Sequence, residues 1–169
     1  MKTRDLVQVA LFMAIVFVAT AFLRIPSPAI TGAGQVHTGT AVVFVISAVF
    51  GAKKGAIASL GMVLFNVTMG LAIWAPVNLI VRPILAFIFG GIANYGGAGG
   101  KDIRLNALAA AAGGLWLLPS MYAGEMLVFQ HYNWEVPLAG IPGNIAQIVL
   151  ALALGLPMIK LIHKYRLNE

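Results

Sequence analysis

The sequence predicts an all-α integral membrane protein, a bundle of six transmembrane helices with both termini in the cytoplasm. Hydrophobic residues make up 60% of the chain and charged residues only 9%, whereas a soluble domain carries about 25% charged residues. Long apolar runs alternate with short polar gaps from one end of the sequence to the other. Residues 1–169 are therefore expected to form a single transmembrane domain.

Each predicted helix corresponds to an apolar run of about 17–25 residues, the length that an α-helix needs to cross roughly 30 Å of hydrocarbon. The six runs are Asp5–Leu23, Val36–Ala52, Gly55–Gly70, Val77–Tyr95, Leu105–Phe129 and Leu138–Ile162.

Basic residues predict the orientation of these helices. Most Lys and Arg residues lie before the first run, in alternate gaps between runs, or at the end of the chain: Lys2, Arg4, Lys53, Lys54, Lys101, Arg104, Lys160, Lys164 and Arg166. The positive-inside rule assigns these positions to the cytoplasm, while Arg24 is the basic residue of the outer gaps. The net charge of +6 then lies in clusters beside anionic headgroups, and no nucleic-acid partner is expected.

The composition also argues against several kinds of chemical site. The chain has no cysteine, and its three histidines, His37, His131 and His163, are too far apart to suggest a metal site, so no cofactor is predicted. The segment Gly96–Asp102 resembles a phosphate-binding loop but has Tyr95 and Asp102 where glycine and Ser or Thr are required. Ser59 and Ser120 have no acid or histidine at catalytic spacing. We expect neither an enzyme nor an ATPase site within this chain.

Polar residues within the predicted spans converge on one layer, in the outer third of the membrane. Glu125 lies about 21 residues, or roughly 31 Å, after Arg104 on the fifth helix. The same layer contains Asn66, Asn78, Arg82, Asn144 and Gln147, with His37, Trp74, Tyr122 and Trp134 also on the outer side. A charged group at mid-membrane costs on the order of 3 kcal/mol, which favours a pocket open to the outside.

Other interpretations of these residues remain open. Arg82 and Glu125 can pair with each other, and the amides can bond between helices. The tryptophans are also typical of an interfacial belt, and His37 of a helix start. The loop from Arg24 to Gln35 contains prolines and glycines, which predicts irregular backbone above the pocket.

Small residues follow one another on the first and third helices. Ala10 and Ala14 are four residues apart, and Gly55, Ser59 and Gly61 lie on the third helix. Such spacing lets another helix approach closely. The sequence leaves open whether that helix belongs to a partner or to this bundle.

The order of several short motifs resembles a known family. These motifs are His37-Thr38-Gly39, Phe50–Ala58, Gly61…Asn66…Gly70, Ala75-Pro76 followed by Arg82, and Pro142–Gln147. Together they resemble the substrate-binding S component of energy-coupling factor (ECF) vitamin transporters over nearly the whole chain. Ala10-x-x-x-Ala14 is similar to the motif by which that family docks on its coupling subunit. Thr40 and Arg82 depart from the family pattern, in which an acid and a lysine are usual.

The resemblance implies a subunit of a prokaryotic plasma-membrane importer. It would capture a vitamin outside and associate with a transmembrane coupling subunit and two cytoplasmic ATPases. The segment pattern is similar to the branch of hydroxymethylpyrimidine and pyridoxine carriers, for which Glu125 would hold a protonated ring nitrogen while Asn144 and Gln147 bind hydroxymethyl groups. Pantothenate, which would favour Arg82, riboflavin and folate are alternatives, as is a self-sufficient secondary carrier.

Overall fold

A computed structural model describes residues 3–26, 35–129 and 135–166 of the chain. These residues are mainly helical, as the apolar runs predicted. The elements are α1 (Thr3–Phe22), β1 (Arg24–Pro26), β2 (Gln35–His37), α2 (Gly39–Phe50), α3 (Ala52–Thr68), α4 (Ala75–Ala93), α5 (Ile103–Phe129), α6 (Glu135–Leu138) and α7 (Ile141–Arg166). Short 3-10 turns at Ala72–Trp74 and Tyr95–Gly97 flank α4.

Four helical segments within the described residues are long and apolar enough to cross a membrane: Thr3–Phe22, Ala72–Ala93, Ile103–Leu127 and Ile141–Tyr165. The other two predicted spans correspond to shorter helices. α2 has 12 residues and α3 has 17, or about 18 Å and 26 Å of helix. Between them Gly51 has a φ of 97°, which interrupts the helix at the predicted turn.

The segment before α2 differs from the prediction. The second helix was expected to begin at Val36, and Arg24–Gln35 to be irregular. Instead β1 and β2 pair antiparallel, with Arg24 opposite His37. The hairpin is anchored to α1, because the Thr38 backbone N–H donates to the Leu23 carbonyl at 3.0 Å and the Thr38 hydroxyl donates to the Ala19 carbonyl at 3.0 Å. Strand pairing satisfies the hydrogen bonds of backbone N–H and C=O groups, and a hydropathy pattern gives no information about these groups. Residues 27–34 lie outside the described part.

The core lies around α2, which contacts α1, α3, α4 and α7. On one side the rings of Phe44 and Phe89 stack, with centroids 4.0 Å apart and planes 7° apart, joining α2 to α4. On another side α1 crosses α3 at Gly61, where an added Cβ would collide with the Met13 carbonyl oxygen. Close backbone approach therefore explains this glycine.

The α2–α3 and α4–α5 connections lie together at one end of the bundle, called here the basic end. An added Cβ on Gly100 would lie 2.7 Å from the Ala48 Cβ, so the second connection packs against the last turn of α2. Lys54 reaches across to α1, where its ammonium lies 3.4 Å from an Asp5 carboxylate oxygen and 2.6 Å from the Gln8 amide oxygen. The predicted common side for Lys53, Lys54, Lys101 and Arg104 agrees with this packing.

Candidate functional site

Five polar side chains meet at the end of the bundle opposite the basic end. They are His37 from β2, Thr40 from α2, Asn78 and Arg82 from α4, and Gln147 from α7, and all are buried. The consecutive elements β2 and α2, together with the distant helices α4 and α7, thus supply one hydrogen-bonded cluster. Burial of this much polar surface is costly unless its groups are paired.

Thr40 is the shared acceptor in this cluster. Its hydroxyl oxygen accepts from the Gln147 amide nitrogen at 2.6 Å and from an Arg82 guanidinium nitrogen at 3.3 Å. The Arg82 Nε also donates to the Asn78 side-chain oxygen, one helical turn earlier, at 2.9 Å. α2, α4 and α7 are therefore linked through one hydroxyl group that is fully buried.

His37 closes the cluster from the hairpin. The Gln147 amide nitrogen lies 3.1 Å from His37 Nε2 and 3.5 Å from Nδ1. Burial, together with the nearby Arg82 charge, lowers the pKa of His37 to about 3. The imidazole is therefore neutral at pH 7, and an unprotonated ring nitrogen is available to accept the amide hydrogen.

The cluster forms one side of a small pocket that is open to solvent and encloses about 50 Å³. The lining residues are His37, Met62, Phe65, Asn66, Leu71, Trp74, Asn78, Arg82, Met121, Asn144 and Gln147. We call it the polar pocket. Its lining combines six polar side chains with five apolar ones, and polar groups that converge beside an apolar wall are typical of small-molecule sites.

Seven of the nine residues predicted to bind substrate line the polar pocket: His37, Asn66, Trp74, Asn78, Arg82, Asn144 and Gln147. Helix packing brings these seven residues together at one end of the bundle. Trp74 is buried there, at the turn that precedes α4. Trp134 lies outside the described residues.

Glu125 and Tyr122 are not among the lining residues. Glu125 is buried on α5, and its carboxylate lies beside Gly140, where an added Cβ would be 3.3 Å from Oε2. Met121, one turn earlier on α5, contributes the pocket wall instead. The carboxylate therefore lies beside the turn that leads into α7, near Asn144 and outside the pocket lining.

Sequence reasoning missed Thr40 as a site residue, along with the apolar wall formed by Met62, Phe65, Leu71 and Met121. Thr40 was noted only as a departure from a family pattern. A usable signal existed for Met62, which lies four residues before Asn66 on α3. Positions three or four apart share a helix face.

Ala10 and Ala14 lie on a different surface. Both are exposed on α1, whereas Val9, Phe12 and Val16 of the same helix are buried. The exposed side also carries Leu6, Val7, Leu11 and Ile15. Within the bundle, close approach is provided by Gly61 against α1 and by Gly55 against Ser47. The two alanines are thus not used for packing between helices of this chain.

Comparison with known proteins gives one match that covers nearly the whole chain. The family described as ECF-type riboflavin transporter, S component, matches residues 1–164. No curated protein matches the chain. The matched range includes α1 with Ala10 and Ala14, and every residue that lines the polar pocket.

Proposed function

The chain belongs to the family of ECF-type riboflavin transporter S components, and we propose that it captures riboflavin in the polar pocket as the substrate-specific subunit of an ATP-driven importer. As a member of this family it is a membrane transporter subunit for a vitamin, acting with ECF transmembrane and ATPase subunits.

The chemistry of the polar pocket carries the substrate proposal. Its described lining offers amides from Asn66, Asn78, Asn144 and Gln147, one guanidinium and a neutral imidazole, and includes no carboxylate. Amides donate and accept together, so they match an uncharged heterocycle that carries carbonyl and imide groups. Trp74 supplies an aromatic face for ring stacking. The isoalloxazine of riboflavin has these features.

The direction of capture follows from the charges. The polar pocket and the basic end are at opposite ends of the bundle, and the positive-inside rule assigns the basic end to the cytoplasm. The pocket then opens to the outside, beneath the β1–β2 hairpin. Ala10 and Ala14, exposed on α1, are proposed to contact the coupling subunit, with the two ATPases bound on the cytoplasmic side.

Hydroxymethylpyrimidine or pyridoxine is the second candidate substrate, and the burial of Glu125 favours it. The carboxylate lies beside Gly140, one turn before Asn144. A small shift of the turn into α7 would bring it to a protonated ring nitrogen, where a charge-assisted hydrogen bond is strong. Riboflavin has no such cation at neutral pH, so the two candidates make different demands on Glu125.

A binding panel on the purified full chain tests the proposal. Riboflavin, hydroxymethylpyrimidine, pyridoxine, pantothenate and folate would be titrated separately by calorimetry, after mass spectrometry of small molecules that co-purify with the protein. We expect saturable binding of riboflavin at one site. Binding of a different vitamin, with none of riboflavin, would overturn the substrate proposal without affecting membership of the family.

Transport is tested separately in lipid vesicles. Uptake should require the coupling subunit, the ATPases and ATP. Uptake by this chain alone without ATP would instead identify a self-sufficient carrier.

A further inference from the structure

A second concave site lies at the basic end, between the start of α5 and the last turns of α7. It has a volume of about 860 Å³ and is open to solvent. Gly100, Lys101, Ile103, Asn106, Leu156, Pro157, Ile159, Lys160, His163 and Lys164 line it. It shares no lining residue with the polar pocket, and we call it the α5–α7 groove.

The mouth of the α5–α7 groove is positively charged. Lys101, Lys160 and Lys164 are exposed there, and its described lining includes no acid. Asp102 is adjacent in sequence, but its carboxylate accepts the Arg104 backbone N–H at 2.8 Å and so caps α5. Three ammonium groups around one concavity favour an anion.

The interior of the groove is apolar, with Ile103, Leu156, Pro157 and Ile159 along it. Leu156 lies eight residues before Lys164 on α7, or about 12 Å along the helix axis. α5 and α7 are both among the segments able to cross a membrane. The groove therefore extends from a charged mouth at the helix ends into the hydrocarbon region, the arrangement that a phosphate with an attached acyl chain requires.

Two buried polar atoms within the groove lining have no partner in the described part of the chain. Asn106 is 3% exposed and donates through Nδ2 to the Gly100 carbonyl at 2.7 Å, while its Oδ1 accepts no hydrogen bond there. His163 Nε2 is likewise buried and unpaired. A buried acceptor without a donor is costly, so a ligand hydroxyl would stabilise Asn106.

From these observations we propose that the α5–α7 groove binds one anionic phospholipid of the phosphatidylglycerol class. The phosphodiester contacts Lys101, Lys160 and Lys164, a glycerol hydroxyl donates to Asn106 Oδ1, and an acyl chain lies along Leu156 and Pro157. The lysine stems cover apolar surface while their ammonium groups reach the headgroup.

Native mass spectrometry of the full chain in detergent tests this proposal. Phosphatidylglycerol, phosphatidic acid and phosphatidylcholine with the same acyl chains would be titrated separately. We expect one phosphatidylglycerol to be retained, weaker retention of phosphatidic acid, which lacks the hydroxyl, and little of phosphatidylcholine. The double variant Lys160→Gln/Lys164→Gln should bind phosphatidylglycerol roughly 30-fold more weakly.

Lys53→Gln is the matched control, because Lys53 is an exposed lysine at the same end but outside the groove. It should bind the lipid as the wild type does, and all variants should melt at similar temperatures. Equal retention of all three lipids, or an unaffected double variant, would overturn the proposal. Displacement of the lipid by excess inorganic phosphate would indicate a soluble-anion site. If the double variant lost association with the coupling subunit but still bound the lipid as the wild type does, the groove would be a protein interface. Either result also overturns the proposal.

Discussion

The Gln147 side-chain nitrogen lies 2.6 Å from the Thr40 hydroxyl oxygen, although the two residues are 107 positions apart in the sequence. This bond joins α7 to α2 at the wall of the polar pocket, and the same hydroxyl also accepts from Arg82 of α4. A single buried oxygen therefore accepts hydrogen bonds from both Gln147 and Arg82, and both of these side chains line the pocket. The geometry of the site depends on it.

Thr40→Val should weaken both the fold and ligand binding. Valine has nearly the same shape but no acceptor, and each buried donor left unpaired costs about 1–3 kcal/mol. We expect a lower melting temperature and at least a tenfold loss of affinity, which corresponds to about 1.4 kcal/mol. Thermal unfolding in detergent and ligand titration measure the two effects.

Thr68→Val is the control for this change, since among the described residues the Thr68 hydroxyl donates to carbonyls of its own helix, at 2.9 Å and 3.3 Å. It should leave the affinity as it is. If Thr40→Val and Thr68→Val behaved alike, the shared-acceptor role of Thr40 would be wrong.

Glu125→Gln distinguishes the two candidate substrates. For riboflavin we expect near-wild-type affinity, because the carboxylate lies beside Gly140 and outside the pocket lining. For hydroxymethylpyrimidine or pyridoxine held through a protonated nitrogen, the binding free energy should weaken by roughly 2–3 kcal/mol, which is a loss of affinity of about 30–150-fold. Arg82→Gln measured in parallel should be the more damaging change for pantothenate. A large loss of riboflavin affinity in Glu125→Gln would contradict the proposed pocket chemistry.

Ala10→Leu and Ala14→Leu should abolish transport while ligand binding by the isolated chain persists. Both alanines are exposed on α1, so a larger side chain obstructs a partner helix without crowding the bundle. Co-purification with the coupling subunit and ligand titration give the two readouts. Ala153→Leu, an equally exposed position on α7, is the control and should assemble normally. Loss of ligand binding in the α1 variants would show that they serve internal packing.

The proposed orientation can be tested with single cysteines, since the natural chain has none. Cysteines placed at Lys53 and Lys101 should react with impermeant thiol reagents only after the cell is opened, because the basic end is assigned to the cytoplasm. Labelling of either position in intact cells would reverse the orientation and place the polar pocket on the inside.

His37 should make stability depend on pH in the acidic range. Its pKa is lowered to about 3 by burial and by the Arg82 charge, from an ordinary value of 6.5. At a pH between these two values, the imidazole is therefore protonated in the unfolded chain and neutral in the folded chain. Stability from this residue is fully present above about pH 6.5 and falls with decreasing pH, by up to about 1.4 kcal/mol per pH unit.

The measurement is the melting temperature at pH 7 and pH 5 for the wild type and for His37→Gln. Other acidic and basic groups titrate equally in both proteins. The difference between the two changes in melting temperature therefore reports on His37. The wild type should lose more stability than the variant on acidification. Equal losses would mean that the imidazole is accessible to protons in the folded state.

The sequence by itself determined which segments are helical and at which end of the bundle the embedded polar residues collect. Both follow from local information: the length of an apolar run decides whether a helix can form there, and the axial rise places each residue along it. Seven of the residues singled out from the sequence line the pocket. Four of the predicted spans correspond to helices long and apolar enough to cross a membrane.

Only the tertiary structure decided which face of each helix meets which neighbour. Thr40 became the shared acceptor because α2 lies between α4 and α7. Glu125 shares a face of α5 with Met121, yet Met121 lines the pocket whereas Glu125, one turn further along, lies beside Gly140. The hairpin that positions His37 rests on pairing between Arg24–Pro26 and Gln35–His37 across an intervening segment. Rotation about a helix axis and strand pairing depend on contacts between residues distant in sequence, and hydropathy contains no information about them.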